Sequence, residues 1–440
     1  MSRIACVVCA LASLIAGCEG LGRGIVGQRP VSDAGDDERC TVSPACVALR
    51  SVPSSDFDVD PTRLEPELGG DCDGDAVPDD RDPCVGVPSL EAGHECGAAL
   101  DACARLAAGA RDLRNADLRG CRIDAPIATP DELDLTGADL SCARLTLIAP
   151  SAGRSGVLPA QGVTWTNAVL TLEAPEGPWI AELDRTTLRR TLVRLRGSAR
   201  LSATESIFED ARITVETAGR TVAPTAPAVE LRTSNVAGSV LYEHPSAWPG
   251  RMRIERSTVQ STRFATQVLE LVNTNVASSS LGGAELLALG GELAQSSVRV
   301  DYGAIAGTSV RDVIFAQCVE LQVSAAVLQN VDVPACPAEH FRVESSEILD
   351  SRLAGGLDLV ESTLRTSTIG GGPDTIVRTE EAELDVVTVC DLGAAAFYGG
   401  ELRCVRCEED AFMRGASVCV GGAELYERGC PAIELAPECP

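Results

Sequence analysis

Apolar side chains recur at every fifth position in two runs, residues 111–125 and 133–147. Arg111-Asp112-Leu113-Arg114-Asn115, Ala116-Asp117-Leu118-Arg119-Gly120 and Cys121-Arg122-Ile123-Asp124-Ala125 follow one another, and Leu133–Gly137, Ala138–Cys142 and Ala143–Leu147 repeat the form. In each five the centre is Leu or Ile, a small residue usually stands two places earlier and a polar one immediately before. Weaker fives continue: Leu188, Val193, Ser198, Ala203, Phe208 and Ile213 share one frame, and Ile254, Val259, Phe264 and Leu269 another. Pairs five apart recur at Val236/Leu241, Val276/Leu281, Val310/Phe315, Leu328/Val333, Ile348/Leu353 and Leu364/Ile369. Their spacing averages roughly 20 residues and is irregular, which is the signature of stacked coils with insertions. Thr, Ser, Val and Gly dominate and no long 3.6-residue period appears, so the coils are predicted to be strands. The alternation also suits a β-sandwich array. A shared unit, rather than a shared strand length, favours the solenoid.

The fives resemble the pentapeptide-repeat family, and Ala116–Gly120 and Ala138–Cys142 carry the likeness most specifically. That resemblance implies square coils with the central apolar and the small residue inward, stacked by parallel pairing. The fold expected is mainly β: a right-handed parallel β-helix over residues 104–389, with a Cys-rich neck before it and a Cys-rich cap, residues 390–440, after it. Caps are needed because an open solenoid end recruits other chains.

The N-terminus reads as an address. Arg3 precedes Ile4–Gly17, fourteen residues without a charge. That is too short for a bilayer core of roughly 30 Å but suits a signal-peptide core. It ends in Leu14-Ile15-Ala16-Gly17-Cys18, which resembles the lipobox of bacterial lipoproteins. The resemblance implies removal of residues 1–17 and acylation of Cys18. It further implies attachment of the chain to the membrane of the bacterial cell envelope, at the outer membrane, on its periplasmic or exposed side. Several acyl chains anchor stably where one is marginal. Residues 18–39 have no periodicity and read as a tether.

Cysteine use fits an oxidising compartment. Of 19 Cys, Cys6 and Cys9 leave with the signal and Cys18 carries lipid. The remainder form two groups of eight, Cys40 to Cys142 and Cys318 to Cys439. Eight cysteines allow 105 pairings, so the spacing assigns none. Cys318 and Cys336 lie about one coil apart and suit a staple between neighbours. Cys404-Val405-Arg406-Cys407 has no second ligand pair at finger-like spacing, so a disulfide role is favoured over zinc.

The neck, residues 40–103, holds the metal candidate at residues 71–84. Asp71, Asp73, Asp75, Asp79 and Asp82 fall at loop positions 1, 3, 5, 9 and 12, and Val77 offers a backbone carbonyl at position 7. Ca²⁺ wants six to eight hard oxygens, and a chain curling round it presents them at this spacing. The segment resembles a thrombospondin type 3 repeat, which implies calcium ligation by these residues and a disulfide at the neighbouring Cys. Ala76 stands where that loop favours Gly, a departure costing about 1 kcal/mol.

Composition narrows the function. The net charge is −27 and every basic residue is Arg. Lys-dependent phosphate cradles and Schiff bases are excluded, and nucleic acid is disfavoured as a partner. Aromatics are 3%, too few for stacking platforms or a ring-walled pocket. His94, His244 and His340 match no metal motif, and no hydrolase elbow is present. The most distinctive insertion is Tyr242-Glu243-His244-Pro245-Ser246-Ala247-Trp248-Pro249-Gly250. It suits a loop whose Trp covers the coil edge better than a glycan contact. Two functions follow. One is a non-enzymatic envelope lipoprotein presenting the solenoid to an envelope protein or glycan, for adhesion, display or envelope organisation. The other is a β-helix polysaccharide lyase or glycoside hydrolase, since carboxylate pairs across coils are invisible in sequence.

Overall fold

A computed structural model describes residues 97–425, apart from 124–125, 129–132, 150–155, 217–225, 244–249, 386, 399, 404–405, 408–411 and 422–423. The chain divides into Met1–Thr41 and Val42–Pro440, and every described residue lies in the second unit. The lipobox at Cys18 and the loop of Asp71, Asp73, Asp75, Val77, Asp79 and Asp82 fall outside the described residues, as do His94, His244 and Trp248.

The molecule is a parallel β-solenoid. Each coil has three strand segments, here called faces A, B and C. One coil runs through Val229–Arg232, Asn235–Ala237 and Val240–Glu243, and pairs in parallel with Arg251–Glu255, Thr258–Gln260 and the start of Arg263–Ala277. Coil on coil, the register brings like positions into columns. On face B the inward column passes through Leu188, Phe208, Val236, Val259, Val276 and Leu293. All are at most 1% exposed, and each such side chain contributes about 1.5–3 kcal/mol on leaving water. The ladder runs on through Leu402↔Leu425, into the segment whose cysteines suggested a cap.

The five-residue period is now explained. Ala203, Phe208 and Ile213 occupy faces A, B and C of one coil; Leu231, Val236 and Leu241 do so in the next. Between each pair lies a corner whose turning residue is left-handed: Glu205 and Asp210, both with φ 50°, then Thr233 and Gly238, with φ 50° and 60°. Such φ values cost a non-Gly residue of order 1–2 kcal/mol. The corner amide answers this by donating to the next coil, as Asp210 N–H does to Ala237 C=O at 2.9 Å. In the early fives the small residue after the corner is Ala116, Cys121, Ala138 or Ala143. In later coils it is more often a buried Ser or Thr, with Ala211, Val313, Ala326, Val331 and Ala382 as exceptions, and the hydroxyls stack into ladders. Ser206 N–H donates to Ser234 Oγ (3.2 Å) and Ser234 N–H to Ser257 Oγ (3.0 Å).

Irregularity is confined to the segment joining face C to face A of the next coil. It takes 18 residues from Ile213 to Leu231 and 13 from Leu241 to Ile254, but seven from Phe264 to Leu271, Leu281 to Ala288 and Val298 to Ile305. The sequence therefore loses its period without losing its columns.

Among the described residues one helix, α1 (Gly97–Ala107), packs Ala102 and Leu106 into the same core as Leu113 and Leu118. Gly109, at φ 81°, ends it in a left-handed turn. Cys103–Cys121 ties the helix to the first coil, and Cys142 and Cys318 are also disulfide-bonded. No helix among the described residues is long and apolar enough to cross a membrane.

Candidate functional site

Polar chemistry concentrates where the 244–249 insertion leaves the coil. Strand alternation decides which side chains turn inward: Leu241 inward, Tyr242 outward, Glu243 inward. Glu243 thus falls in a face C column that is otherwise Leu172, Leu195 and Val215 in the preceding coils, followed by Thr266. It is 5% exposed. Its carboxylate is hydrogen-bonded throughout. Oε1 accepts from Gly250 N–H, and Oε2 accepts from Thr266 Oγ1 (2.9 Å) and Gln267 N–H (2.8 Å). Burial pushes the Glu243 carboxyl above its ordinary range, while the Gln267, Gly250 and Thr266 donors oppose the shift. A Cβ on Gly250 would collide with Glu243 Oε1, which explains Gly at the point of return. Glu243 therefore clamps the insertion's exit, its re-entry and the next coil's turn together.

Beside the clamp, face A carries an ion-pair lattice. Arg232 meets Glu230 at 2.7 Å and Glu255 at 4.0 Å; Arg253 meets Glu255 at 3.2 Å and Glu230 at 4.0 Å. Arg251 pairs with Glu270, which points outward from the sheet yet is only 4% exposed. The hydrogen bond from Arg232 to Glu230 raises the guanidinium's already high pKa. Burial likewise raises the Tyr242 phenol. Stacked charges of alternating sign satisfy one another at about 4.8 Å strand spacing. The carboxylates here act on neighbouring protein groups: Glu243 uses both oxygens on its clamp, and Glu270 is held by Arg251.

Of the residues singled out by sequence, the structure places Tyr242, Glu243 and Gly250 together. His340 lies within strand Asp332–Glu344. Among the described residues no group of His, Cys, Asp and Glu is placed to hold a metal ion. Sequence reasoning missed the role of Glu243 and the Arg251–Glu270 pair. The available signal was parity: an acid two residues after Leu241, at inward phase, immediately before the insertion.

No family model matches the chain, and no curated protein matches its sequence. Among solved structures it is similar to the A-module of an Azotobacter vinelandii mannuronan C-5 epimerase (11% identity, 69% of this chain and 89% of that one, TM-score 0.24). Tailspike protein 3 of bacteriophage CBA120 is another (10% identity, 79% and 60%, TM-score 0.25), of whose length the chain spans 60%. A pentapeptide repeat protein involved in heterocyst differentiation regulation in the cyanobacterium Nostoc sp. strain PCC 7120 is a third (18% identity, 59% and 89%, TM-score 0.15).

Proposed function

We propose that the chain is a non-enzymatic envelope lipoprotein, anchored to the outer membrane through lipid on Cys18, that presents its β-solenoid for adhesion, display or envelope organisation to an envelope protein or glycan. The observation that carries this reading is Leu14-Ile15-Ala16-Gly17-Cys18 following an uncharged stretch. The paired cysteines of an oxidising compartment agree with it. The clamp is compatible with it, since Glu243 and Glu270 hold neighbouring protein groups. A solenoid offers a long surface built by repetition, suited to extended partners.

In the same reading, Asp71, Asp73, Asp75, Asp79 and Asp82, with the Val77 carbonyl, hold Ca²⁺ and stiffen the neck between lipid and solenoid. Mass spectrometry of the N-terminal peptide from the mature chain tests the anchor. The expected result is a chain beginning at Cys18 and carrying acyl mass. A chain beginning elsewhere, or an unmodified Cys18, overturns it. Calorimetric Ca²⁺ titration beside Asp73→Ala tests the neck: saturable binding lost in the variant is expected, and no binding at millimolar Ca²⁺ removes the metal from the account.

A further inference from the structure

Face A changes character past the ion-pair lattice. Its outward positions align as Val268↔Glu285↔Tyr302↔Glu320 in one row and Glu270↔Leu287↔Ala304 in the next, and Val272↔Leu289 begins a third. Val268, Val272, Leu287 and Leu289 are half-buried, and Tyr302 is 40% exposed. Aliphatic side chains thus replace the Arg–Glu lattice across neighbouring strands, on the solvent side of the sheet. These coils also have short face C to face A turns, seven residues from Phe264 to Leu271, Leu281 to Ala288 and Val298 to Ile305, and among the described coils only the six from Leu353 to Leu359 are fewer. The coils before them take 18 and 13 residues for the same step, and ten separate Val333 from Val343 after them. The aliphatic rows lie where no insertion of their own coils interrupts the surface.

The acids along this patch differ from those of the lattice. Glu230, Glu255 and Glu270 each face an Arg. Glu285 and Asp301 make no ion pair among the described residues, and Glu320 accepts a hydrogen bond from Gln322 (2.7 Å) rather than from an Arg. One edge of the patch is therefore uncompensated negative charge, with Tyr302 between Glu285 and Glu320. A second copy of a chain of net charge −27 would bring the same acids against it and be repelled. A cationic partner would not.

We propose that this part of face A is a docking surface for an extended, basic and aliphatic protein segment. Its apolar side chains would lie on Leu287 and Leu289 and its cationic side chains along Glu285, Asp301 and Glu320. Alternate residues of an extended segment separate the two kinds of side chain, as the rows require. Opposite charge across the contact would set orientation and speed association. The inference rests on the display reading, because it names the surface displayed and the class of partner.

The test uses the mature chain with Cys18→Ser, in solution, so that lipid anchoring is not at issue. Fluorescence anisotropy follows a labelled peptide of four Val-Lys repeats and a matched Val-Glu peptide at physiological salt. Saturable binding of the Val-Lys peptide alone is expected, weakened at least tenfold by Leu287→Asn and about tenfold by Glu285→Gln with Glu320→Gln. Glu205→Gln, an exposed corner acid on the N-terminal side, should stay within twofold of wild type. Equal weakening by Glu205→Gln would mean only general attraction to an acidic protein and would overturn the proposal. So would wild-type affinity in the face A variants, binding of the Val-Glu peptide, or self-association of the unmodified face in sedimentation velocity. Should Leu287→Asn fail to fold, the conservative Glu285→Gln and Glu320→Gln pair decides.

Discussion

The serine ladder at the face A to face B corner should behave as a chain of single, localised locks. Ser234 Oγ accepts from Ser206 N–H at 3.2 Å and donates to the Arg232 carbonyl at 2.8 Å, and both serines are under 5% exposed. Ser234→Ala removes the acceptor and leaves the Ser206 N–H buried without a partner. An unmet buried donor costs about 1–3 kcal/mol, equivalent to roughly 5- to 150-fold in a local opening equilibrium. A solenoid unfolds as coupled coils rather than all at once, so a global melt is the wrong readout. Native-state hydrogen exchange with disulfides intact is the assay. Protection at the Ser206 amide should fall within that range, with remote coils unchanged. Ser257→Ala should shift the loss by one coil to the Ser234 amide, whose acceptor it removes. Unchanged protection at Ser206 in Ser234→Ala, or a loss spread evenly along the chain, would refute the ladder.

Four further outcomes follow from other side chains. Gly238, at φ 60°, sits over Asp210, whose Oδ1 fills the space a Cβ would take. Gly238→Ala should cost about 1–2 kcal/mol in the local opening free energy read by native-state hydrogen exchange, and Asp210→Ala in the same chain should recover part of it as a measurable coupling. Glu243 has its folded pKa raised, so its stabilising contribution is fully present below the ordinary carboxyl value and is lost as pH rises through the folded one. Exchange protection of the Gly250 amide should therefore fall with rising pH in wild type but not in Glu243→Gln, once intrinsic rates are removed. Glu243→Leu should destabilise by at least about 2 kcal/mol despite its apolar column, because two backbone donors lose their acceptor. Finally, Cys103→Ala with Cys121→Ala opens a link spanning 18 residues. This should cost about 3 kcal/mol, seen as early loss of α1 helicity while the later coils still protect their amides.

The fold was legible because columns are written as fives. Pairs such as Val236/Leu241 and Val310/Phe315 are the face B and face C positions of single coils. The face A member, five residues earlier, was hidden where it is Ala288, whose hydrophobic signal is weak. The corners left no signal, since the left-handed residue is as often Arg190, Glu205 or Gln295 as Gly. Nor was the ladder foreseen, because Ser234 and Ser257 at small positions look like solvent-facing hydroxyls until the coils stack. The candidate site was half visible. The Tyr242–Gly250 insertion stood out, but the clamp depends on Thr266 and Gln267, a coil away, and no spacing along one strand reveals them. Arg251–Glu270 and the aliphatic rows are products of register, set by how many residues each turn consumes.

Cell fractionation of wild type beside Cys18→Ser tests the proposed lipid anchor most directly. The wild-type chain should sediment with the outer membrane and enter the detergent phase. Cys18→Ser should appear in the soluble fraction with the same protease-resistant solenoid. A wild-type chain found soluble, or a Cys18→Ser chain that remains with the membrane, would contradict the anchor and the display function built on it.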